Sequence, residues 1–458
     1  MNDYMSLLVA ARDAWMSAAE FRSQRQRHKN YTYGDQWSDL LIDDKGKIER
    51  EVVIAARSGR RPLTNNMIRQ IVKTVVGRYR AVCDEQGVYR GPNPLGLSVR
   101  ELAELDCRML EEFLISGAAI QRVDIDTATA GIRRPVLTNV DPRMFFVNSF
   151  KDPLGRDIEL IGMLHDMTFP AIASRFGGGD PALCRRLASI FAATTGDAAF
   201  AAPESLGSAS DGSLDFYRAP SGKCRLIEVW TLDVRRRLLA HDRDRATVYT
   251  VPPGCAAPSG VDSRCRIETV WRCRWFAPDG TVIADYDSPY AHRSHPFAVR
   301  LYPLTDGEVH SFVEDVIDQQ RYINRLIVMI DHMMAGSAKG VLLFPQSQLP
   351  KNLTWDQVTD IWARCDGLLP IRGEGPLPTQ VVTPTSNNGA YELLSLQMKL
   401  FDTISGVGDA LAGRNVSPQT GKELYESQIR NSTIAIADML ETFAALRDER
   451  DRKVKYCI

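Results

Sequence analysis

The segment VHSFVEDVIDQQRYINRLIVMIDHMM, residues 309–334, constrains the fold more than any other stretch. Phe312, Val316, Ile323, Leu326, Ile330 and Met333 recur at alternating steps of four and three, with polar Gln319 as the one break. That period puts them on a single stripe of an α-helix. The 26 residues span about 39 Å as a helix. Such a stripe is too long and too one-sided for an incidental surface helix. It predicts packing along its whole length, against neighbouring helices.

The chain after this helix reads as a compact piece at 338–385. It holds a strand in KGVLLF, a helix near TWDQVTDIWARC, and strands around LLPI and TQVV. Lys351, Asp356, Arg364 and Asp366 are charged positions in it that flank Trp355, Ile361 and Trp362 as an apolar core. A further helix follows in GAYELLSLQMKLFDTI, residues 389–404. Next comes GRNVSPQTGKELYESQIRN (413–431), which superficially matches a phosphate-binding loop. Val416 stands where the first glycine is required, and Glu423 where a hydroxyl must reach magnesium. A carboxylate at that point repels phosphates. Thr420 and Glu423 fit a capping box better, each side chain meeting the other residue's backbone N–H. Residues 406–420 then form a loop freed by Gly406, Gly408 and Gly413, since glycine enters left-handed backbone without steric cost. A helix from 421 towards 455 closes the chain, with no stop signal before the sequence ends.

Upstream, residues 5–29 read as one amphipathic helix with Leu8, Ala11, Trp15, Ala18 and Phe21 on its apolar face. Its basic end, Arg22 to Lys29, reads as a solvated last turn complementing the helix dipole, with a phosphate-contacting patch as the lesser reading. NYTYGDQW (30–37) reads as a turn. Helices follow within 60–80, with Ile68, Ile71, Val72, Val75 and Val76 on one face, and over about 97–116, stopping at Gly117. From 118 to 167, and again from 224 to 300, short β-branched runs between Gly, Pro and Asp read as strands. A hairpin is expected at Pro278-Asp279-Gly280. Between these blocks, the Gly/Ala/Ser-rich 177–222 stretch reads as a helical insertion with a flexible surface loop.

Lys+Arg 56 against Asp+Glu 57 leaves a net charge of −1. That lacks the basic footprint of a dedicated nucleic-acid binder. Nine irregularly spaced cysteines point to a reduced setting more than to a disulfide framework. Neither a secretory signal nor a membrane-length apolar run is expected. The acidic pairs Asp124/Asp126, Asp242/Asp244 and Asp285/Asp287 share a strand face and suit magnesium in type, but each lacks a third ligand. Cys265, Cys273, His292 and His295 fit zinc spacing poorly, and both cysteines read as small buried hydrophobes. No catalytic residue, metal site or cofactor is expected.

Four stretches, in order, resemble phage portal proteins. YTYGDQW with RRPLTNNMIRQIVKTVVGRYR resembles the opening of the wing, and VDPRMFFVNSFKDPLGRDIELIGMLHDMT its strand segment. HPFAVRLYPLTDGEVHSFVEDVIDQQRYINRLIVMIDHMM is similar to the approach to the stem helix, with Asp318, Gln319, Ile323 and Asn324 as its pattern. SGVGDALAGRNVSPQTGKELYESQIRNS resembles the channel loop and the helix behind it. The resemblance implies an α+β portal-type fold. Its parts are a mixed α/β wing at 1–308, stem helices at 309–336 and 388–405, a small α/β clip at 338–385, a tunnel loop at 406–420 and a C-terminal helix at 421–458 leading to wing and crown. The abrupt end implies a short, absent or altered crown, and 177–222 has no counterpart in the family pattern.

The implied function is structural. Identical subunits form a ring, typically a dodecamer, at one capsid vertex of the virion after assembly in the host cytoplasm. Double-stranded DNA enters without sequence preference under a large terminase and leaves through a head–tail connector, while the major capsid protein surrounds the ring. Arg414, Asn415 and Lys422 are the implied DNA-facing residues. Lys351, Asp356, Arg364 and Asp366 are the implied docking contacts of the clip, and Phe312, Val316, Ile323, Leu326 and Ile330 the implied stem packing. A near-neutral chain suits a conduit, because tight phosphate binding would stall sliding DNA. The competing classes are a metal-dependent nuclease or nucleotide hydrolase, and another ring-forming connector component.

Overall fold

A computed structural model of the chain describes residues 2–43, 46–57, 61–90, 95–126, 134–195, 214–220, 222–242, 247–251, 262–339, 341–363, 370–372, 376–381, 388–407, 434 and 436–456. Helices and antiparallel sheets are mixed throughout, as in an α+β chain. Two compact units are present. The first comprises residues 1–32, 69–315 and 406–458, the second residues 33–68 and 316–405.

The first unit is built on two antiparallel sheets. In the larger, the strands Val282–Asp287, Asp262–Phe276, Cys224–Asp242, Leu160–Met167 and Phe145–Val147 lie in that order, with Thr247–Val251 also paired to Cys224–Asp242. The hairpin read at Pro278-Asp279-Gly280 is present, with Gly280 at φ 84 and Phe276 opposite Val282. The smaller sheet orders Phe297–Leu301, Ala118–Asp126 and Arg134–Asn139. Gly162 lets the larger sheet close. A Cβ there would overlap the Glu228 carbonyl oxygen and the Phe146 ring.

One face of this sheet, carrying Phe146, Leu164, Ile227, Val229 and Phe276, packs with Leu8, Ala11 and Trp15 of the N-terminal helix. The expected single helix over 5–29 is two, Asn2–Ser17 and Ala19–Tyr33. The first ends because Ser17 Oγ donates to Ala14 O and Arg22 Nη1 to Trp15 O, taking up carbonyls that a helix end leaves unpaired. The second runs through part of the expected turn at 30–37.

The basic run is also not the solvated turn it reads as. Arg25 is buried and grips Glu112 with two 2.7 Å hydrogen bonds. His28 is buried too, and Arg22 stacks 3.6 Å above the Trp15 ring centroid. Burial pushes the Arg22 guanidinium down to about 10. An acidic partner far away in sequence and an aromatic one seven residues back turned a charge run into packing.

The Val99–Ser116 helix shows how local and tertiary constraints coincide. Ser98 and Glu101 form a reciprocal capping box at its start. Gly117 ends it at φ 73, where a Cβ would also lie 2.6 Å from the His310 carbonyl oxygen. From this helix, fully buried Asp106 accepts from Arg450, from Gln121 Nε2 at 3.2 Å and from Tyr89 OH at 3.2 Å.

Arg450 belongs to the C-terminal helix Ala437–Lys455, whose Phe443 and Leu446 are fully buried. Lys453 of the same helix donates to the carbonyls of His295 (2.9 Å) and Phe297 (2.6 Å). A second buried knot centres on Glu228, which accepts from Arg122 (2.6 Å) and Trp230 (2.8 Å) and lies 2.7 Å from His165 Nε2. Burial alone would raise that carboxyl. The Arg122 charge and the bonds from His165 and Trp230 overcome it and hold it low.

Four histidines are held below their ordinary value, each by burial first. They are His28, His165, His292 (to about 4) and His295, with the Lys453 charge adding to the effect at the last two. In the unfolded chain these rings take up protons near pH 6.5, whereas the folded chain resists to lower pH. The unfolded state therefore binds more protons in the window from about pH 6.5 down to 4, and stability falls as pH drops through it. Urea midpoints at pH 7.5, 6 and 5 should decrease in that order. A level midpoint would contradict the account.

Candidate assembly surface

The second unit carries the long helix singled out by sequence. It spans Glu314–Lys339, starting five residues later than read, because Glu308–Val309 is a short strand paired with Pro303–Thr305. Its start was legible but overlooked. Ser311 and Glu314 form a capping pair, with Glu314 N–H donating to Ser311 Oγ at 3.1 Å and Ser311 N–H to Glu314 Oε2 at 3.3 Å. Phe312 therefore precedes the helix proper. Val316, Ile323, Leu326 and Ile330 lie within it, and all five are buried inside a single chain. No neighbouring subunit is needed to remove them from water.

Between the apolar positions sit two buried amides that the sequence reading did not join. Gln320 Oε1 accepts from Met67 N–H (2.9 Å) and Ile68 N–H (3.3 Å), two amides in the first turn of the Met67–Glu85 helix. Its Nε2 donates to Asn65 O (2.7 Å) and Asn324 Oδ1 (3.1 Å). Asn324 in turn accepts from Asn65 N–H (3.1 Å) and donates to Gln36 Oε1 (2.6 Å). At the very next positions of the helix, Arg321 (3.2 Å) and Arg325 (2.7 Å) are bridged by Glu51. These bonds fasten residues 36–68 to the long helix and fix which of its faces stays open.

The open face keeps apolar side chains in water. Tyr322, Met329 and Met334 are exposed on the long helix, among Asp315, Asp318, Arg325, Asp331 and His332. On the Asn388–Ser405 helix, Tyr391, Leu396, Met398, Leu400 and Ile404 are exposed, with Leu396 at 51% and Ile404 at 45%. Among its described positions Phe401 is the fully buried hydrophobe. Tyr391 OH reaches Met334 Sδ at 3.0 Å. A helix with this much apolar side chain in water is the signature of a surface built to meet another protein.

The 338–385 piece holds the paired strands Val341–Leu343 and Thr379–Val381 and the helix Trp355–Ala363. Its expected core shifts by three residues. Trp355 is exposed, meeting the Phe344 ring edge-on at 6.0 Å, while Val358 is buried and Ile361 and Trp362 are half-buried. The strand read at LLPI is absent at Pro370 and Ile371. Lys351 and Asp356 are exposed; Arg364 and Asp366 lie outside the described residues. So do Arg414, Asn415, Lys422 and the Thr420–Glu423 capping box, and of the expected tunnel loop only Gly406 and Val407 are described.

Of the acidic candidates, Asp124, Asp285 and Asp287 have other employment, while Asp244 and the side chains of Asp126 and Asp242 lie outside the described set. Asp124 pairs with Arg122 (2.9 Å) and Arg175 (3.1 Å) and accepts from Tyr290 OH (3.0 Å). Asp285 pairs with Arg272 (2.8 Å) and Asp287 with Arg235 (2.6 Å). Cys265 and Cys273 share one strand, eight positions and so roughly 26 Å apart. Cys273 is buried as read, but Cys265 is exposed. Among the described residues no cluster of three metal-ligating side chains occurs, and no helix is long and apolar enough to cross a membrane.

The family model for the phage P22-like portal protein matches residues 108–448. The chain belongs to that family. The match takes in both sheets, both long helices and most of the C-terminal helix. No curated protein sequence matches the chain. Portal proteins are structural components of the phage capsid vertex rather than enzymes, and as a family they form homo-oligomeric rings. In this portal protein the amide cluster tests the helix's inner face. Gln320→Leu takes the acceptor from the buried Ile68 N–H, at about 1–3 kcal/mol for the stranded group, while the Met67 N–H and the Asn65 carbonyl keep each other at 2.9 Å. Urea unfolding should register the loss, whereas an unchanged midpoint would show that the cluster does not hold the helix.

Proposed function

We propose that twelve copies of this chain close into a ring at one capsid vertex and form the channel through which double-stranded DNA is packaged and ejected. The observation that carries the reading is the set of exposed apolar side chains on the Glu314–Lys339 and Asn388–Ser405 helices, the positions of the stem in this family's resemblance. Their inner faces are satisfied within the chain by the Gln320–Asn324 cluster and by Phe401, so the exposed faces remain for neighbours. In this scheme residues 1–308 are wing, 338–385 the clip that docks the large terminase and then the connector, and 421–458 the helix returning to the wing. Exposed Lys351 and Asp356, with Arg364 and Asp366, are the proposed docking contacts.

Assembly is tested at residues that the monomer does not bury. The double variant Leu396→Asp/Ile404→Asp should fold within about 0.5 kcal/mol of the parent, as surface changes do. It should nevertheless remain a monomer by size-exclusion chromatography with light scattering, where the parent elutes as a closed ring. Rings of normal yield from the variant would remove these helices from the interface.

The channel assignment rests on the loop at 406–420. A ring multiplies Arg414 into a collar of positive charge, able to hold DNA weakly and in a salt-dependent way. Arg414→Ala should leave folding and ring yield intact and reduce genome retention or packaging. Normal packaging by that variant would take Arg414 out of the channel wall. Saturable, magnesium-dependent ATP binding that is abolished by Lys422→Ala would instead support the nucleotide-hydrolase reading.

A further inference from the structure

A cavity of ≈ 640 Å³ opens where the end of the C-terminal helix meets the 291–300 segment and the turn at 154–156. Its charge is lopsided. Arg156, Arg300, Arg452 and Lys453 line it against one carboxylate, Glu449. That carboxylate is already shared, with Arg300 on Oε2 and Lys453 at 3.5 Å from Oε1. Four cations less one carboxylate leave three positive charges. Arg452 is exposed with no acidic partner among the described residues, and the nearest carboxylate to Arg156 is Asp152 at 4.0 Å.

The uncharged lining points the same way. His292 Nδ1 accepts from Ser294 N–H at 3.1 Å, which puts its proton on Nε2, and that nitrogen has no partner. His292 and His295 are both held neutral at pH 7 by burial, then by the Lys453 charge. The walls therefore present hydrogen-bond donors and positive potential, and their one anion is fully engaged. At this volume the space suits a small molecule. Tyr456 and Leu154, both exposed at the lining, add apolar surface beside the cations.

We propose that this cavity is a binding site for a phosphate group, carried either as the free ion or as a small phosphate monoester. Planar guanidinium groups bind tetrahedral oxyanions in a bidentate manner. Arg156 and Arg452 are placed to close on a phosphate from the open side, with Arg300 and Lys453 supplying charge from the buried side. The site is complete within one subunit, so it does not depend on the ring.

The test is calorimetric titration of the full chain with inorganic phosphate, adenosine monophosphate and adenosine at pH 7.5, with ionic strength held constant by sodium chloride. Saturable phosphate binding is expected, accompanied by a rise in Tm. The double variant Arg156→Ala/Arg452→Ala changes two exposed side chains. It should keep the unliganded Tm and bind phosphate at least tenfold more weakly. Adenosine monophosphate binding more tightly than phosphate, with adenosine silent, identifies the ester as the ligand class; equal or weaker binding identifies the free ion. Absence of saturable phosphate binding, or equal binding by the double variant, overturns the proposal.

Discussion

A carboxylate with no access to water must be met by donors, and Asp106 is such a group. Its partners come from three separated stretches: Tyr89, Gln121 and Arg450. Removing Arg450 would strand that charge in the interior, where breaking a buried pair is strongly destabilising. The first unit can therefore form only when the C-terminal helix has returned to the Val99–Ser116 helix and the Ala118–Asp126 strand. Lys453 and Glu449 extend the same closure to the Phe297–Leu301 strand through the His295 and Phe297 carbonyls and Arg300. A chain whose charges nearly cancel in number spends many of them on such internal knots, Glu228 with Arg122 and Glu112 with Arg25 among them.

The second unit solves a different problem. Its long helix must be anchored on one side and available on the other. Amide side chains suit the anchored side, because Gln320 and Asn324 each have a donor and an acceptor to engage the backbone at Asn65 and Met67 without burying net charge. The other side keeps apolar residues in water, a state that a ring relieves. This division between a self-satisfied inner face and an unsatisfied outer face links the local hydrogen bonding to the proposed assembly. It also explains why Val316 and Ile323 are buried before any neighbour arrives.

Much of the element pattern was legible from periodicity and punctuation. The helix stopping at Gly117, the hairpin at Pro278-Asp279-Gly280, and the helices of 314–339 and 388–405 all carry strong local signals, and all are present. Less legible were features settled by distant partners. Nothing near Arg25 announces Glu112, and nothing near Trp355 says that Val358 will take the buried place. The strong spacing signal at Phe312 correctly marked a buried residue but placed it one turn inside a helix that begins after it. The same limit governs chemistry. Asp124 and Asp285 look like half of a metal site until their arginines are known.

By itself, then, the sequence determined most of the helices and strands, the absence of a familiar catalytic motif, and the resemblance to a family that the match over 108–448 bears out. These depend on neighbours within a few positions or on the order of motifs, and both survive in one dimension. Only the tertiary structure decided which charges are internal, which apolar stripe is already covered, and where cations gather around an open cavity. Those outcomes turn on burial and on pairs beyond any local window, up to the 344 positions between Asp106 and Arg450. A side chain's free energy in such a setting is set by what surrounds it in space.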